Sequence, residues 1–415
     1  MILKARYVLP VDGPVIEDGC VVVSGKRITA VGPARDVQSP PVTDFGDALI
    51  GPGFINAHTH LELTSLAERV PPTPDFIDWL RRLVAVRRAE SITKEPVQRA
   101  VLAGIAQSVR AGVTAIGDIT STPAWTREVL ARSPLGGVSF GEIIAIGNRR
   151  HLLAARLDAA AAGEMASGRM CVGISPHAPY TVEPDGLRRC AERANSMGSP
   201  LCIHLAECAD ETLFTQSGEG PFVEYLTELG VWDHSVATSG CRPVELAHRS
   251  GLLGPRTIVA HANYVTDADI DQLAAGGTHV AFCPRTHHAF GHTPHRFTDM
   301  LRRGVNVCIG TDSLASNPSL SVLDELRFLH RQYPDFPIEE LWRMGTLRSA
   351  RALGLAEQTG SLSVGKQADI VVIPLPNSPQ GRRSPSAVLS SILESGDRPT
   401  AVYIRGERQE LNEPQ

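Results

Sequence analysis

Two histidines one residue apart, His58 and His60, close an apolar run beginning near Ala48. In an extended chain that spacing points both imidazoles to one side, where they can ligate a single metal ion. An H-x-H pair alone is weak evidence, because histidines also serve as satisfied core residues. Four further patches strengthen it: Pro176-His-Ala-Pro-Tyr180, His204-Leu-Ala-Glu207, His261-Ala-Asn263 and Gly310-Thr-Asp-Ser313, each following an apolar run of its own. With His204 and Asp312 added, the pair becomes three neutral nitrogens and one carboxylate. That set suits Zn2+, and also Fe2+, with a coordination position left for water. A divalent ion lowers the pKa of such a water from about 15.7 toward about 7, which makes a nucleophile at neutral pH. Asp312 is placed to accept the water's proton. Glu207, three residues beyond His204, is close to the ion yet free to hydrogen-bond a bound substrate and act on it as a general acid and base. Its competing role is to orient a ligand histidine. His261 fits a hydrogen bond to the attacking oxygen or the tetrahedral intermediate better than a place among the ligands.

Residues so far apart in sequence need a scaffold that gathers strand ends. Between residues 48 and 309 apolar, β-rich runs alternate with helical segments, the mark of βα units around a parallel sheet. The runs are Ala48–Asn56, Thr114–Asp118, Gly137–Ile144, Cys171–Ser175, Leu201–Leu205, Thr257–Ala260, His279–Cys283 and Val305–Ile309. Helices are expected over Asp75–Arg88, with Phe76, Leu80, Leu83 and Val84 on one face, and over Val97–Ala111. Eight βα repeats predict a (β/α)8 TIM-like barrel, whose active sites lie at the C-terminal ends of the strands, where the five polar patches fall. No G-x-G-x-x-G follows the first run, which argues against a doubly wound nucleotide-binding sheet. Short strands with turn signals at both ends of the chain predict a small β-sandwich domain made from 1–51 and 360–415, leaving 52–359 to the barrel.

The bulk properties fit a small-molecule enzyme. A net charge of −5 at 415 residues offers no electrostatic footprint for nucleic acid or an anionic membrane, and no apolar stretch approaches the roughly 20 residues of a membrane span. The segment from Met1 to Pro10 lacks the features of a secretory signal, so a cytoplasmic location is expected. Assembly into a homo-oligomer stays open. The eight cysteines include no C-x-x-C pair, so neither disulfides nor a thiolate zinc site is indicated. Lysine occurs only at Lys4, Lys26, Lys94 and Lys366, and arginine supplies every other one of the 40 basic residues. No barrel run therefore carries a lysine that could bridge two metals, and one ion per chain is expected. Only Glu142, after the third run, could otherwise take a bridging role.

Together these motifs resemble the amidohydrolase superfamily, in particular its branch of adenosine-type, guanine and cytosine deaminases and triazine hydrolases. Pro52-Gly-Phe-Ile-Asn-Ala-His-Thr-His60 is similar to the branch's first-strand signature and His204-Leu-Ala-Glu207 to its H-x-A-E. His261-Ala and Gly310-Thr-Asp-Ser313 are similar to its sixth- and eighth-strand motifs, and Gly360–Ile373 to a strand of its composite β-domain. The resemblance implies hydrolytic removal of an amino group from a nitrogen heterocycle, with Glu207, His261 and Asp312 catalytic and His58, His60, His204 and Asp312 on the metal.

Ser175-Pro-His-Ala-Pro-Tyr-Thr181 resembles the loop of thio-adenosine and adenosylhomocysteine deaminases, which implies that His177 contacts a nucleoside. His60-Leu-Glu-Leu-Thr64 and the segment Cys283–His295 look more like deaminases of 6-amino-6-deoxyfutalosine, an adenine nucleoside with a benzoate side chain used in menaquinone synthesis. His287, His288, His292 and His295 then read as pocket-wall residues, His288 and His292 as substrate contacts. Arg149 and Arg150 could pair with a substrate carboxylate, and Trp79 could cap the ligand or pack in the core. Alternatives are an adenosylhomocysteine or methylthioadenosine deaminase, a guanine or s-triazine aminohydrolase or chlorohydrolase, and, outside enzymes, an inactive scaffold of the same fold.

Overall fold

The computed structural model describes residues 1–36, 41–90, 92–163, 169–376 and 384–411; the parts of the two expected domains at 37–40, 91, 164–168, 377–383 and 412–415 lie outside the described residues. Five strands open the chain: β1 (Ile2–Val8), β2 (Ile16–Ser24), β3 (Arg27–Pro33), β4 (Val42–Asp44) and β5 (Ala48–Pro52). Eight more form a parallel sheet in sequence order: β6 (Phe54–Thr59), β7 (Val113–Thr120), β8 (Gly136–Ile143), β9 (Met170–Pro176), β10 (Leu201–Leu205), β11 (Thr257–His261), β12 (His279–Phe282) and β13 (Asn306–Ile309). The last strands, β14 (Ile370–Pro374), β15 (Ala401–Ile404) and β16 (Glu407–Arg408), return to the first five.

The terminal strands form one continuous sheet in the order β16-β15-β14-β5-β1-β2-β3, with β4 beside β1. Its far strand β3 comes back to bridge Gln367 through Arg27, so the sheet folds over a core that includes Leu3, Val21, Ile50, Ile370 and Val372. The two layers of the expected sandwich are thus parts of a single sheet.

The apolar run Ala48–Asn56 is two strands and not one. Hydrogen bonding changes partner at Gly53: β5 pairs with β1 and β14, whereas β6 pairs with β7. A side chain at Gly53 would meet Thr114 at 2.3 Å, so the chain passes there with no room for a Cβ. A continuous extended run conceals such a switch because both halves are buried and equally apolar.

Closure of the barrel brings its first and last strands together. Thr59 bridges Asp312 in parallel, and the amides of Thr311 and Asp312 donate to the His58 carbonyl at 3.0 and 3.1 Å. The buried Asn56 side chain completes the seam, donating to Thr311 Oγ1 at 2.7 Å and accepting from the Thr311 amide at 3.1 Å. The helices α1 (Phe76–Ala89) and α2 (Lys94–Arg110) follow β6, and the Asp75 side chain caps α1 by accepting from Asp78 N at 2.8 Å. No helix among the described residues is long and apolar enough to cross a membrane.

Packing between strands leaves one glycine no alternative. Gly137 has φ +134, and a Cβ there would lie 1.8 Å from the Ile116 carbonyl oxygen of the neighbouring strand. Gly137→Ala is expected to destabilise the fold by about 3 kcal/mol, since it combines a disfavoured backbone with overpacking against an immovable ladder. Urea unfolding checks this; a loss under about 1 kcal/mol would mean that β7 and β8 can separate.

Candidate active site

The five patches do converge at the C-terminal ends of the barrel strands. His58 lies in β6 and His60 just past its end, and the turn after them is fixed by the Leu61 amide donating to the buried Asp118 Oδ1 at 2.9 Å. His204 lies in β10 with its Nδ1 2.9 Å from the His177 carbonyl; only a donor can face a carbonyl, so the proton sits on Nδ1 and Nε2 keeps its lone pair. Asp312 follows β13 in a left-handed conformation, φ 57, held by the Thr59 bridge and by Ser316 Oγ donating to its Oδ2 at 2.6 Å. Ala206, His261 and Ala262 also have positive φ, which turns the chain sharply over the mouth at β10 and β11.

The facing atoms form a compact donor set. His60 Nε2 lies 3.2 Å from His204 Nε2 and 3.5 Å from Asp312 Oδ1, and His58 Nε2 is 3.8 Å from the same oxygen. Ligands about 2.0–2.2 Å from a tetrahedral Zn2+ would stand roughly 3.3–3.6 Å apart, so these edges suit one ion. His58 Nε2 is fully buried without a hydrogen-bond partner, which a neutral lone pair aimed at a cation explains. His261 also belongs to a donor group with His58 and Asp312. Burial pushes the pKa values of His58, His60 and His261 well below the ordinary range and those of His204 and His177 down to about 4, so all five rings are neutral at pH 7.

A third donor group, Glu142, His177 and His204, shares His204 with the first. With Nδ1 committed to the His177 carbonyl, His204 has one lone pair and serves one ion. His177 carries a different task. Its Nδ1 is 2.8 Å from Thr181 Oγ1, whose own proton goes to the Ala178 carbonyl, so Nδ1 donates. The Nε2 acceptor then faces Glu142 Oε1 at 3.9 Å and the cavity.

Glu207 stands beside the donor set without joining it. Oε1 is 3.3 Å from His261 Nε2, and Oε2 accepts from the buried Tyr180 hydroxyl at 3.0 Å. With His261 neutral the first contact is not an ion pair. The Glu207 amide donates to Glu211 Oε2 at 2.8 Å and its carbonyl accepts from Asn263 Nδ2 at 2.8 Å, so the backbone is held on both sides. Burial, then the nearby Asp312 and Glu211 charges, raises the Glu207 carboxyl well above the usual carboxylate range. Burial also lifts Asp312 to about 6, against the opposing Ser316 and Ser313 hydrogen bonds.

These groups open on a cavity of about 620 Å³ whose lining runs from His60, His177, His204, Glu207 and Asp312 to a largely apolar wall. That is a usual size for a small-molecule site. Of the expected substrate contacts, His177, Arg149 and Trp79 line it, and Trp79 is also packed against Phe76 and Phe290 with its indole N–H on the Val70 carbonyl. Arg150, His288 and His292 do not line it. Arg150 turns outward to Glu183 and Asp233 at 2.9 and 3.2 Å, His288 packs beside Phe328, and His292 bonds the Tyr264 hydroxyl at 3.1 Å. The segment Pro284–Ala289 is a short helix, which sends His287 and His288 to different sides, and His292 lies beyond its end. His287 and His295 support the site from behind, through Asn263 Oδ1 at 3.0 Å and the His261 carbonyl at 2.8 Å.

Sequence reasoning passed over Tyr180, Glu211 and the arginines of α1. Tyr180 and Glu211 lay within reach, three residues after His177 and four after Glu207, but only their contacts distinguish them from core residues. Arg87 and Arg88 carried no signal in a chain so rich in arginine.

The amidohydrolase family model matches residues 49–408 of the chain. A 5-methylthioadenosine/S-adenosylhomocysteine deaminase of Nitratidesulfovibrio vulgaris is 31% identical over 398 residues, spanning 90% of this chain and 83% of that protein. A 5'-deoxyadenosine deaminase of Methanosarcina barkeri is 28% identical over 386 residues, spanning 90% and 84%. Among solved structures, an adenosine deaminase of Xanthomonas campestris with bound zinc aligns at TM-score 0.80 and 26% identity, covering 98% of this chain and 92% of that one. The aminofutalosine deaminase of Helicobacter pylori in complex with methylthio-coformycin aligns at TM-score 0.83 and 22% identity over 99% and 100%, a likeness of fold.

Proposed function

This chain belongs to the amidohydrolase family and is a hydrolase acting on C–N bonds, and from there we propose that it deaminates an adenine-type nucleoside with one divalent metal ion. The observation that carries this reading is the position of Glu207: a buried carboxyl, 3.3 Å from His261, beside the donor set His58, His60, His204 and Asp312 and open to the same cavity. Those four residues would hold the ion, with Zn2+ the best match to three imidazoles and a carboxylate. The ion supplies, when bound, a water acidic enough to attack at neutral pH.

The remaining work falls to the chain's own groups. Asp312 takes the proton that the water loses as its oxygen bonds to the amino-bearing ring carbon. Glu207 gives its proton to the adjacent ring nitrogen, which quenches the charge left by the broken ring double bond. The Glu207 carboxylate so formed takes the remaining proton of the added oxygen and passes it to the amino nitrogen, which leaves as ammonia as the C–N bond breaks and the C=O bond forms, and the proton held by Asp312 then restores Glu207. His261 faces the new oxygen through Nε2, and Tyr180 keeps Glu207 oriented between the two proton transfers.

Within this class the substrate we propose is 6-amino-6-deoxyfutalosine, on the strength of the segments His60–Thr64 and Cys283–His295 and the fold shared with the Helicobacter pylori enzyme. A second reading, a methylthioadenosine or adenosylhomocysteine deaminase, is favoured by the 31% identity to the Nitratidesulfovibrio vulgaris protein. Steady-state deamination followed by ultraviolet absorbance separates them. Aminodeoxyfutalosine is expected to exceed adenosine, methylthioadenosine and adenosylhomocysteine in kcat/KM by at least about tenfold, because contacts remote from the ring can be used in the transition state. Preference for either sulfur nucleoside would establish the second reading; turnover of guanine or a chlorotriazine alone would overturn both.

A further inference from the structure

Two arginines stand out on the cavity wall by what they lack. Arg88, in the last turn of α1, and Arg149, in the turn Gly147–Leu152 after β8, both line the cavity. Among the described residues neither makes a hydrogen bond or an ion pair. Their sequence neighbours are committed: Arg87 to Glu62 and Ser121 at 3.1 Å each, Arg150 to Glu183 and Asp233. Both free arginines act on the same phenol, that of Tyr225, whose pKa burial pushes up to about 12 while the positive charges of Arg88, Arg81 and Arg149 oppose the rise. Tyr225 itself is a buried part of the cavity lining.

The carboxyls on the cavity wall are Glu142, Glu207 and Asp312, together with Glu62 and Glu90, which are paired with Arg87 and Arg69; the uncommitted cations are Arg88 and Arg149, with apolar side chains such as Leu83, Ile146 and Leu229 also on the wall. A guanidinium that faces a pocket without a protein anion is matched by a ligand anion, and two of them give the forked donors that a carboxylate accepts.

We infer that Arg88 and Arg149 form a subsite for a carboxylate carried at the end of an apolar side arm of the substrate. The inference rests on the deaminase reading and assigns the partner of the side arm differently from the sequence, which pointed to Arg149 with Arg150. It joins residues from two separate βα segments.

The test uses metal-loaded protein and two probes, 6-amino-6-deoxyfutalosine and its benzoate methyl ester, with the ratio of their kcat/KM values as the readout. The wild type is expected to favour the acid by more than about tenfold, and Arg88→Gln and Arg149→Gln each to cut that ratio by about tenfold or to near one. Arg150→Gln should leave it at the wild-type value. A wild-type ratio near one, or a ratio that survives in the Arg88→Gln/Arg149→Gln double variant, would overturn the subsite. If neither probe is deaminated, the proposed function fails instead, and calorimetric binding of the same two compounds to the wild type and the double variant decides the subsite independently.

Discussion

Glu207→Gln is expected to retain its metal and lose about 10² to 10⁴-fold in kcat. The argument is geometric. Glu207 is outside every donor group that could hold the ion, so its replacement leaves His58, His60, His204 and Asp312 in place. An amide oxygen can still accept the Tyr180 hydroxyl, now at 3.0 Å from Oε2, and the backbone stays tied to Glu211 and Asn263. The shape is therefore preserved while the proton is lost, and an amide cannot protonate a ring nitrogen or serve the leaving ammonia. Elemental analysis and single-turnover kinetics together check it. A fall of less than about tenfold with metal intact would reduce Glu207 to a residue that merely positions His261.

His204→Ala should have the larger effect on composition: metal content falling from close to one equivalent per chain to near zero, with turnover below detection. Its Nε2 lies 3.2 Å from that of His60, so its removal takes one of four ligands and leaves two imidazoles and Asp312 around a gap, a remnant expected to hold the ion too weakly to survive purification. The barrel should survive. Strand β10 keeps its five-residue parallel pairing with β11, and the lost side-chain bond to the His177 carbonyl is worth only about 1 kcal/mol. Unchanged circular dichroism with an empty site is the expected result. A variant that keeps full metal and activity would remove β10 from the site, and two equivalents in the active wild type would overturn the single-ion reading.

The placement of the candidate site residues was legible in the sequence wherever such a residue is anchored to a strand end. The H-x-H of β6, His204 in β10, His261 at β11 and Asp312 after β13 each follow an apolar β-rich run, and a parallel barrel has only one face at which such ends can meet. The alternation of runs and helices determined the barrel, and the absence of lysine from those runs determined that no lysine bridges two metals. Residues on helices and loops were another matter. Arg150 and His288 had the right chemistry and the wrong direction, because a 3-10 turn and a six-residue helix send neighbouring side chains to different sides. Arg88 lines the cavity with no sequence signal to mark it, because its place on the wall depends on where α1 packs. The division of Ala48–Asn56 between two sheets likewise turned on hydrogen-bond partners and on space at Gly53 that only the packed neighbours define. Local spacing decides what a strand presents to its own end, whereas a helix or loop residue faces wherever long-range packing turns it, and that information is held by the contacts between elements.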